Sequence, residues 1–341
     1  EKTEGDTMDP YVFEDALTSN QVKCDYPGLQ ALMVENAVVP ETCPTLFFPG
    51  CSLINYALPL VQSVYDLLHG AGWADGISLL CCGKILSYEP DGKTLRKAFE
   101  GELVEHLIAA RVERIVAACP NCVLALRQAL GRDERTSGIE VIALPKLLSD
   151  LGYRVDEGVA RDMLAREMKW RHPDWYDETG NRTAACEAPE QVLFMPKDSC
   201  PDKRTGEFAD GLRAIMPEGL LVEGEHVRKN SICCGSLARA AAKYDLADKQ
   251  AQDHGEEASA LGASAIVTAC MSCSFQLTMA QHEVPVFHYL ELLYNWRIDW
   301  YHVDSYMKLR FLFDNSLGVT KESSGRRTFV GLGGDSEAKG E

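Results

Sequence analysis

The stretch Arg114–Cys122, RIVAACPNC, and the stretch Ala265–Cys273, AIVTACMSC, each join an apolar run to a Cys-x2-Cys loop. Each apolar run has the length and the β-branched content of a buried strand. A helical pattern follows each loop, as Leu124 to Leu130 in one case and Phe275 to Gln281 in the other. The two stretches therefore predict two strand–loop–helix units with cysteines in the loop.

The loops belong to two larger sets of five cysteines. Corresponding cysteines are separated by 149 to 152 residues, and the vicinal pair of each set precedes a glycine. The first set is Cys51, Cys81, Cys82, Cys119 and Cys122, and the second is Cys200, Cys233, Cys234, Cys270 and Cys273. Ten residues do not keep such a register by chance, so the pattern indicates a duplicated module of about 150 residues.

Further apolar runs alternate with helical patterns in both halves. Strand-like runs precede Cys51 and Cys200, and others cover 141–144 and 284–287. Such alternation is typical of a parallel sheet with helices on both faces. We predict an α/β fold with two doubly wound, Rossmann-like domains whose cysteines lie at the carboxyl ends of strands. The predicted boundaries are 1–44 for an N-terminal extension, 45–151 and 191–295 for the two domains, 152–190 for a linker and 296–341 for a C-terminal extension.

Composition excludes several classes of protein. The net charge of −17 over 341 residues would repel nucleic-acid backbones and anionic membranes. No stretch approaches the roughly 18 to 20 apolar residues of a membrane span, and the N-terminal residues do not resemble a signal peptide. An odd number of cysteines with two vicinal pairs suits a reducing compartment. We therefore expect a cytoplasmic protein without a transmembrane span and without a nucleic-acid partner.

A vicinal cysteine pair is unusual for a single metal ion. Neighbouring side chains of a strand point to opposite faces, so both sulfurs reach one site only where the backbone bends. Gly83 and Gly235 supply residues that can take a positive φ for this bend. Two adjacent sulfurs suit iron atoms that are bridged to each other, and helix N-termini after the Cys-x2-Cys loops would stabilise an anionic centre.

Three other interpretations remain open at this point. Structural zinc could use the two Cys-x2-Cys pairs, but it would leave both vicinal pairs unused. A thioredoxin-like role could use Cys119 and Cys122. Burial of cysteines as small apolar residues could explain one or two positions. Cys24, Cys43 and Cys186 lie outside both sets and are interpreted as spare thiols.

The full pattern resembles a known family. A cysteine, a Cys-Cys-Gly about thirty residues later and a Cys-x2-Cys about thirty-five residues after that are similar to the cysteine-rich CCG domain of the heterodisulfide reductases and their relatives. The resemblance covers roughly residues 45 to 295. It implies two CCG domains related by pseudo-twofold symmetry and a noncubane [4Fe-4S] cluster in each. It also implies that the first five-cysteine set holds one cluster and the second set holds the other.

The resemblance implies an oxidoreductase of anaerobic metabolism. Its function would be to reduce a small-molecule disulfide, because two clusters could each pass one electron to one sulfur. Lys84 and His288 are the predicted proton donors, with Ser236 as a relay. Because the chain has no ferredoxin-type run of cysteines, an electron-delivering, ferredoxin-like iron-sulfur subunit is expected as a partner. A flavoprotein is expected in the same complex.

The aromatic C-terminal segment and the function of the chain each have an alternative interpretation. The aromatic segment from Tyr294 to Phe313 is a candidate docking surface, or a terminal segment packed on its own domain. The alternative function is that of a noncatalytic electron-relay subunit of a dehydrogenase or quinone-linked complex, as in glycolate oxidase or lactate-utilisation systems, which the chain also resembles.

Overall fold

Each half of the chain contains a parallel β-sheet. The computed structural model describes residues 11–18, 20–25, 30–35, 41–88, 90–186, 191–298 and 300. These residues divide into two compact units, the first reaching Ile142 and the second beginning at Ala143. None of the helices in the described part of the chain is long and apolar enough to cross a bilayer.

The first parallel sheet has four strands in the order β5-β4-β6-β7. The strands are β4 (Thr45–Phe48), β5 (Gly76–Ile77), β6 (Arg114–Ala117) and β7 (Glu140–Ala143). β4 pairs in parallel with both β5 and β6, which places the first strand of this sheet between its second and third. In a doubly wound sheet of this order, ligands bind at the carboxyl ends of the first and third strands.

Helices complete the first unit. They are α1 (Cys51–Tyr56), α2 (Leu58–Gly70), α3 (Gly92–Ala109) and α4 (Pro120–Leu130), with a 3-10 turn at Lys84–Tyr88. α2 buries Leu60, Val61, Val64 and Leu68, whose spacing of three to four residues puts them on one face of the helix. Phe47 and Phe48 of the central strand are fully buried, so the core lies around β4.

The N-terminal residues form a separate antiparallel sheet. Its strands are β1 (Tyr11–Glu14), β2 (Asn20–Asp25) and β3 (Gln30–Glu35), paired in that order. From the sequence this region is predicted only as an N-terminal extension. After β1, Asp15 forms a parallel bridge with Ile77, which connects this segment to β5 at the edge of the first parallel sheet.

Asp15 is completely buried at this junction. Its carboxylate accepts hydrogen bonds from the backbone N–H groups of Leu17 and Leu79 at 2.8 and 2.6 Å. Burial is the main cause that raises the pKa of Asp15 to about 6 from 3.8, and these hydrogen bonds oppose it. The folded protein therefore binds a proton between pH 4 and pH 6 that the unfolded chain has released.

This buried carboxyl predicts a fall in stability with rising pH. Because the folded-state pKa is the higher one, the contribution is present at low pH and is lost as the pH rises through about 6. The quantity to compare is the free energy of unfolding of the wild-type protein minus that of the variant Asp15→Asn. This difference should be about 1 kcal/mol lower at pH 7 than at pH 5. Denaturant titrations of both proteins at the two pH values measure this difference. A difference that does not change with pH would contradict the assignment.

The second parallel sheet repeats the order of the first. Its strands are β8 (Phe194–Lys197), β9 (Ala265–Thr268) and β10 (Val286–His288), in the order β10-β9-β8. Both neighbouring pairs are parallel. Leu221 forms one parallel bridge with Phe194 of β8. This bridge lies beside β8 as β5 lies beside β4 in the first unit. The predicted α/β fold with two Rossmann-like repeats is therefore confirmed.

The helices of the second unit include two that precede its sheet. They are α5 (Leu144–Asp150), α6 (Glu157–Arg171), α7 (Glu207–Ile215), α8 (Ser236–Ala240), α9 (Tyr244–Ala260), α10 (Met271–Ala280) and α11 (Tyr289–Tyr294). α5 packs against α7, where the absence of a side chain at Gly211 lets the backbone of Pro145 and Lys146 approach. α6 is held by an ion pair of 3.0 Å between Glu167 and Arg297.

These contacts bear on the domain boundaries. The boundaries predicted from the sequence put α5 at the end of the first domain and α6 in a linker. In the structure both helices contact elements of the second unit, because α5 packs on α7 and α6 packs on α11. The periodicity of each helix could be read from the sequence, but the choice of packing partner depends on tertiary contacts such as the one at Gly211.

Candidate metal centres

The cysteines of each set follow the carboxyl ends of strands. In the first unit, Cys51 begins α1 after β4, the vicinal pair Cys81 and Cys82 follows β5, and Cys119 follows β6. In the second unit, Cys200 follows β8, the vicinal pair follows the bridge at Leu221, and Cys270 follows β9. Parallel strands end at one edge of their sheet, so each set is gathered at that edge.

The glycine after each vicinal pair has the predicted backbone conformation. Gly83 has a φ of 71° and Gly235 has a φ of 97°, both in the left-handed region. A side chain at Gly83 would come within 2.6 Å of the Phe99 ring, so the position is tightly packed as well. The bend lets both members of a vicinal pair contact other thiols of the same set.

The Cys-x2-Cys loops lie at helix N-termini, as predicted. Cys119 is the N-cap residue of α4 and Cys270 is the N-cap residue of α10. Cys122 and Cys273 therefore stand in the first turns of these helices. The free N–H groups and the helix dipole at these ends favour negative charge on the sulfurs.

The five thiols of the first set form a continuous row. The order of contacts is Cys51, Cys81, Cys82, Cys122 and Cys119. The Cys81 thiol lies 3.9 Å from the sulfur of Cys51. Gly50 lets the row pack closely, because a side chain there would come within 2.9 Å of the Cys122 sulfur.

The second set forms a row in the same order. Its contacts run from Cys200 through Cys233, Cys234 and Cys273 to Cys270. The vicinal pair is thus in the middle of both rows, with the leading cysteine at one end and the first cysteine of the Cys-x2-Cys loop at the other. In each row three thiols are buried and two are partly exposed.

One thiol of each vicinal pair is stabilised as a thiolate. Hydrogen bonds from Cys122 and then Cys81 hold the pKa of Cys82 well below its usual range. In the second row, hydrogen bonds from Cys200 and then Cys234 lower the pKa of Cys233 to about 2. The contacts between thiols therefore favour the thiolate at one member of each vicinal pair, and the thiolate is the form of cysteine that binds metals.

A buried lysine lies beside the second row, and it is not among the residues predicted from the sequence. Lys197 ends β8, its side chain is buried, and its Nζ lies 3.7 Å from the Cys273 sulfur. Burial opposes its charge, but the sulfurs of Cys273 and of other cysteines in the row outweigh burial and raise the pKa of Lys197. A lysine at the end of an otherwise apolar strand, VLFMPK, was the signal available in the sequence.

The predicted proton donors occupy different environments. Lys84 is half-buried and follows Gly83, and its backbone N–H donates to the Cys82 sulfur. His288 is buried at the N-terminus of α11, where its Nδ1 accepts a hydrogen bond from the Leu290 N–H at 3.4 Å. Burial lowers the pKa of His288 to about 3. Ser236 begins α8 directly after Gly235. Proton transfer by these residues stays a prediction.

The remaining thiols lie apart from both rows. Cys43 is buried, and burial raises its pKa to about 12, with additional contributions from Asp75 and Asp15. Cys186 is partly exposed. The side chain of Cys24 lies outside the described residues. Within the described ranges, no group of three or more Cys, His, Asp and Glu side chains is arranged to hold one metal ion.

Part of the aromatic C-terminal segment packs on its own unit. Ile298 and Trp300 are buried, and Trp300 lies against Phe275 of α10 with ring centroids 6.0 Å apart. Arg297 bonds to Glu291 of α11 at 2.9 Å. These contacts favour the interpretation of a packed terminal segment up to Trp300. The rest of the candidate docking surface, 301–313, lies outside the described residues.

Comparisons with known proteins identify the two modules. The profile of the CCG cysteine-rich domain matches residues 45–127 and again residues 198–278, which contain the two five-cysteine sets. No curated protein sequence matches the chain. Among solved structures, a glutamate racemase, isoform RacE1 from Bacillus anthracis, is 12% identical over 73% of this chain and 77% of its own, with a TM-score of 0.33. That likeness is too weak to carry an argument. The chain is therefore a CCG-domain protein with two copies of its cysteine-rich domain, one in each compact unit, and this domain indicates a role in iron-sulfur electron transfer.

Proposed function

We propose that this chain is the catalytic iron-sulfur subunit of a complex similar to heterodisulfide reductase, and that it reduces a small-molecule disulfide. In this proposal each five-thiol row holds one noncubane [4Fe-4S] cluster. The observation that carries the proposal is the intact row in both units, with the same order of contacts. A protein with one complete row would have only half of the proposed centre.

The donor set of each row fits an iron-sulfur cluster. All five groups are thiols, and soft thiolate ligands favour iron-sulfur clusters, zinc and Cu(I) over metals that prefer oxygen. A row of five exceeds the four ligands of a tetrahedral zinc site, and its central vicinal pair suits bridged iron atoms. When bound, such clusters supply single electrons, so a chain with two of them carries the two electrons that a disulfide takes up.

The surrounding residues support this role by stabilising anionic sulfur. The Cys-x2-Cys sulfurs lie at the N-termini of α4 and α10, where the positive ends of the helix dipoles favour negative charge. In the second row, the Gly235 N–H also donates to the Cys233 sulfur at 3.4 Å. Two thiols of each row are partly exposed, Cys51 and Cys119 in the first and Cys200 and Cys233 in the second, which suits direct reaction with a small molecule.

The proposal includes partners. Electrons must reach the two rows from outside, and we propose a ferredoxin-like iron-sulfur subunit as the immediate donor, with a flavoprotein in the same complex. We also propose a cytoplasmic location.

Turnover of disulfides tests the proposed function. The chain, purified without oxygen and checked for iron and inorganic sulfide, is supplied with reduced viologen and a panel of small-molecule disulfides. Oxidation of the viologen should accelerate with at least one disulfide. The variants Cys81→Ala/Cys82→Ala and Cys233→Ala/Cys234→Ala should both fall to the background rate, because each removes the centre of one row.

The same assay separates the alternative function. A chain that contains iron and sulfide and accepts electrons from viologen, yet reduces no disulfide in the panel, would overturn the reductase proposal and support an electron relay. Rapid transfer to a quinone analogue would then be expected. Absence of iron and sulfide from the purified chain would overturn both functions.

A further inference from the structure

The strands that lead to the two thiol rows end in different buried residues. β4 and β8 occupy the same place in their sheets, and their last residues correspond: Phe48 pairs with Ala117, and Lys197 pairs with Thr268. Two residues after each of these partners stands the first cysteine of a Cys-x2-Cys loop. Phe48 and Lys197 are exposed by only 0% and 2%. The second unit therefore has a buried ammonium where the first has a buried aromatic ring.

The ammonium of Lys197 is directed at the thiol row. Its Nζ donates to the backbone carbonyl of Asp198 at 2.9 Å and lies 3.7 Å from the sulfur of Cys273. Cys273 contacts both Cys234 and Cys270 within the row. The ammonium of Lys197 is thus in hydrogen-bonding contact with a sulfur of the second row.

No carboxylate of the described residues neutralises this cation by an ion pair. The nearest candidate in sequence, Asp198, has both carboxylate oxygens occupied by Arg213, at 2.8 and 3.1 Å. The Arg228 N–H donates to the same carboxylate at 2.7 Å. The positive charge of Lys197 is therefore available to the sulfurs.

A second polar residue distinguishes the two rows. α3 and α9 each follow the vicinal pair of their unit, and Leu103 of α3 and His254 of α9 are 151 residues apart, as are the corresponding Cys-x2-Cys cysteines. Both side chains are about 1% exposed. Among the described residues the Nε2 of His254 has no hydrogen-bond partner, although its ring contacts the backbone of Cys233. The second row thus has two buried polar side chains beside it, Lys197 at Cys273 and His254 at the backbone of Cys233.

We propose that Lys197 is a positioning residue that makes the two iron-sulfur centres unequal, so that the centre of the second unit is reduced at a higher potential than the centre of the first. The inference rests on the proposed function, in which each row holds a cluster. Reduction adds one negative charge, and a buried cation with an N–H donor toward sulfur stabilises the added charge. Phe48 offers the first row neither the charge nor the donor.

Single-site chains measure the two potentials separately. The variant Cys233→Ala/Cys234→Ala leaves the first row intact, and Cys81→Ala/Cys82→Ala leaves the second. Both full-length proteins are reconstituted with iron and sulfide without oxygen and titrated with dithionite, and reduction is followed by electron paramagnetic resonance. The second centre should have a reduction equilibrium constant at least tenfold larger, which is about 59 mV for one electron. Equal potentials, or a lower one for the second centre, would overturn the proposal.

Substitution of Lys197 tests the cause. In the chain with only the second row, Lys197→Met should lower the reduction equilibrium constant at least tenfold, and Lys197→Arg should retain most of it. The matched control is Phe48→Met in the chain with only the first row. This substitution changes the corresponding buried residue without changing its charge, and the reduction potential should be unchanged. A Lys197→Met protein with normal iron content and an unshifted potential would refute the role of Lys197.

The outcomes separate this inference from the proposed function. If Lys197→Met fails to bind iron, the comparison of the two single-site chains and the Lys197→Arg variant still decides the inference. An unmodified chain without iron and sulfide would overturn the proposed function, and the inference with it. Potentials that differ as expected in a chain without disulfide turnover would support the inference and contradict only the reductase activity.

Discussion

Replacement of both Cys81 and Cys82 by alanine is expected to halve the iron and the inorganic sulfide bound per chain. These two thiols are the centre of the first row, between Cys51 and Cys122. Their removal leaves three thiols that no longer form a continuous row. The first unit should then bind no cluster, while the row of the second unit is unchanged. Iron and sulfide analysis and the visible absorption of the anaerobically purified protein measure the loss.

Two other cysteines provide matched controls. Cys43→Ala removes a buried thiol of the same unit, and Cys186→Ala removes a partly exposed one, but neither belongs to a row. Both variants should retain the full iron content. A loss of iron in Cys43→Ala equal to that in the double variant would indicate a general effect of thiol removal on folding. Full iron content in the double variant would contradict the assignment of the first row.

The strands that could be predicted from the sequence are those with long apolar runs. The apolar runs of RIVAACPNC and AIVTACMSC predict β6 and β9, because each run is apolar and rich in β-branched residues and ends at a Cys-x2-Cys loop. The strand position before each vicinal pair was missed. It consists of the two residues of β5 in the first unit and of a single bridge at Leu221 in the second, which is too short for periodicity to detect.

The thiol rows were predictable, but their surroundings were not. The repeated spacing of ten cysteines identified both rows, since it is visible without knowledge of the fold. Lys197 carries no such signal, because a lysine at the end of a strand is ordinarily a solvated charge. Its significance depends on burial and on a sulfur that is 76 residues away in sequence. The packing of α5 on α7 could not be predicted either, because it also depends on contacts between residues that are distant in sequence.

Substitution of Gly235 by alanine is expected to abolish cluster binding in the second unit and to destabilise that unit. Gly235 has a φ of 97°, and a side chain there would overlap the carbonyl oxygen of Ala247 in α9. The strained backbone and the overlap together should cost roughly 3 kcal/mol or more. Relief of the overlap requires movement of the bend that directs Cys233 and Cys234 into the row. Thermal unfolding and iron content of Gly235→Ala measure the two effects.

Gly262→Ala is the matched control within the same unit. Gly262 also has a positive φ, of 67°, but a side chain there would have no atom within 4 Å. Its substitution carries only the backbone strain, about 1 kcal/mol, and should leave the iron content at the wild-type level. The difference between the two variants therefore isolates the contact with Ala247 from the cost of a left-handed backbone. If Gly235→Ala binds as much iron as Gly262→Ala and unfolds at the same temperature, the bend after the vicinal pair is not what gathers these thiols, because a displaced bend would separate them.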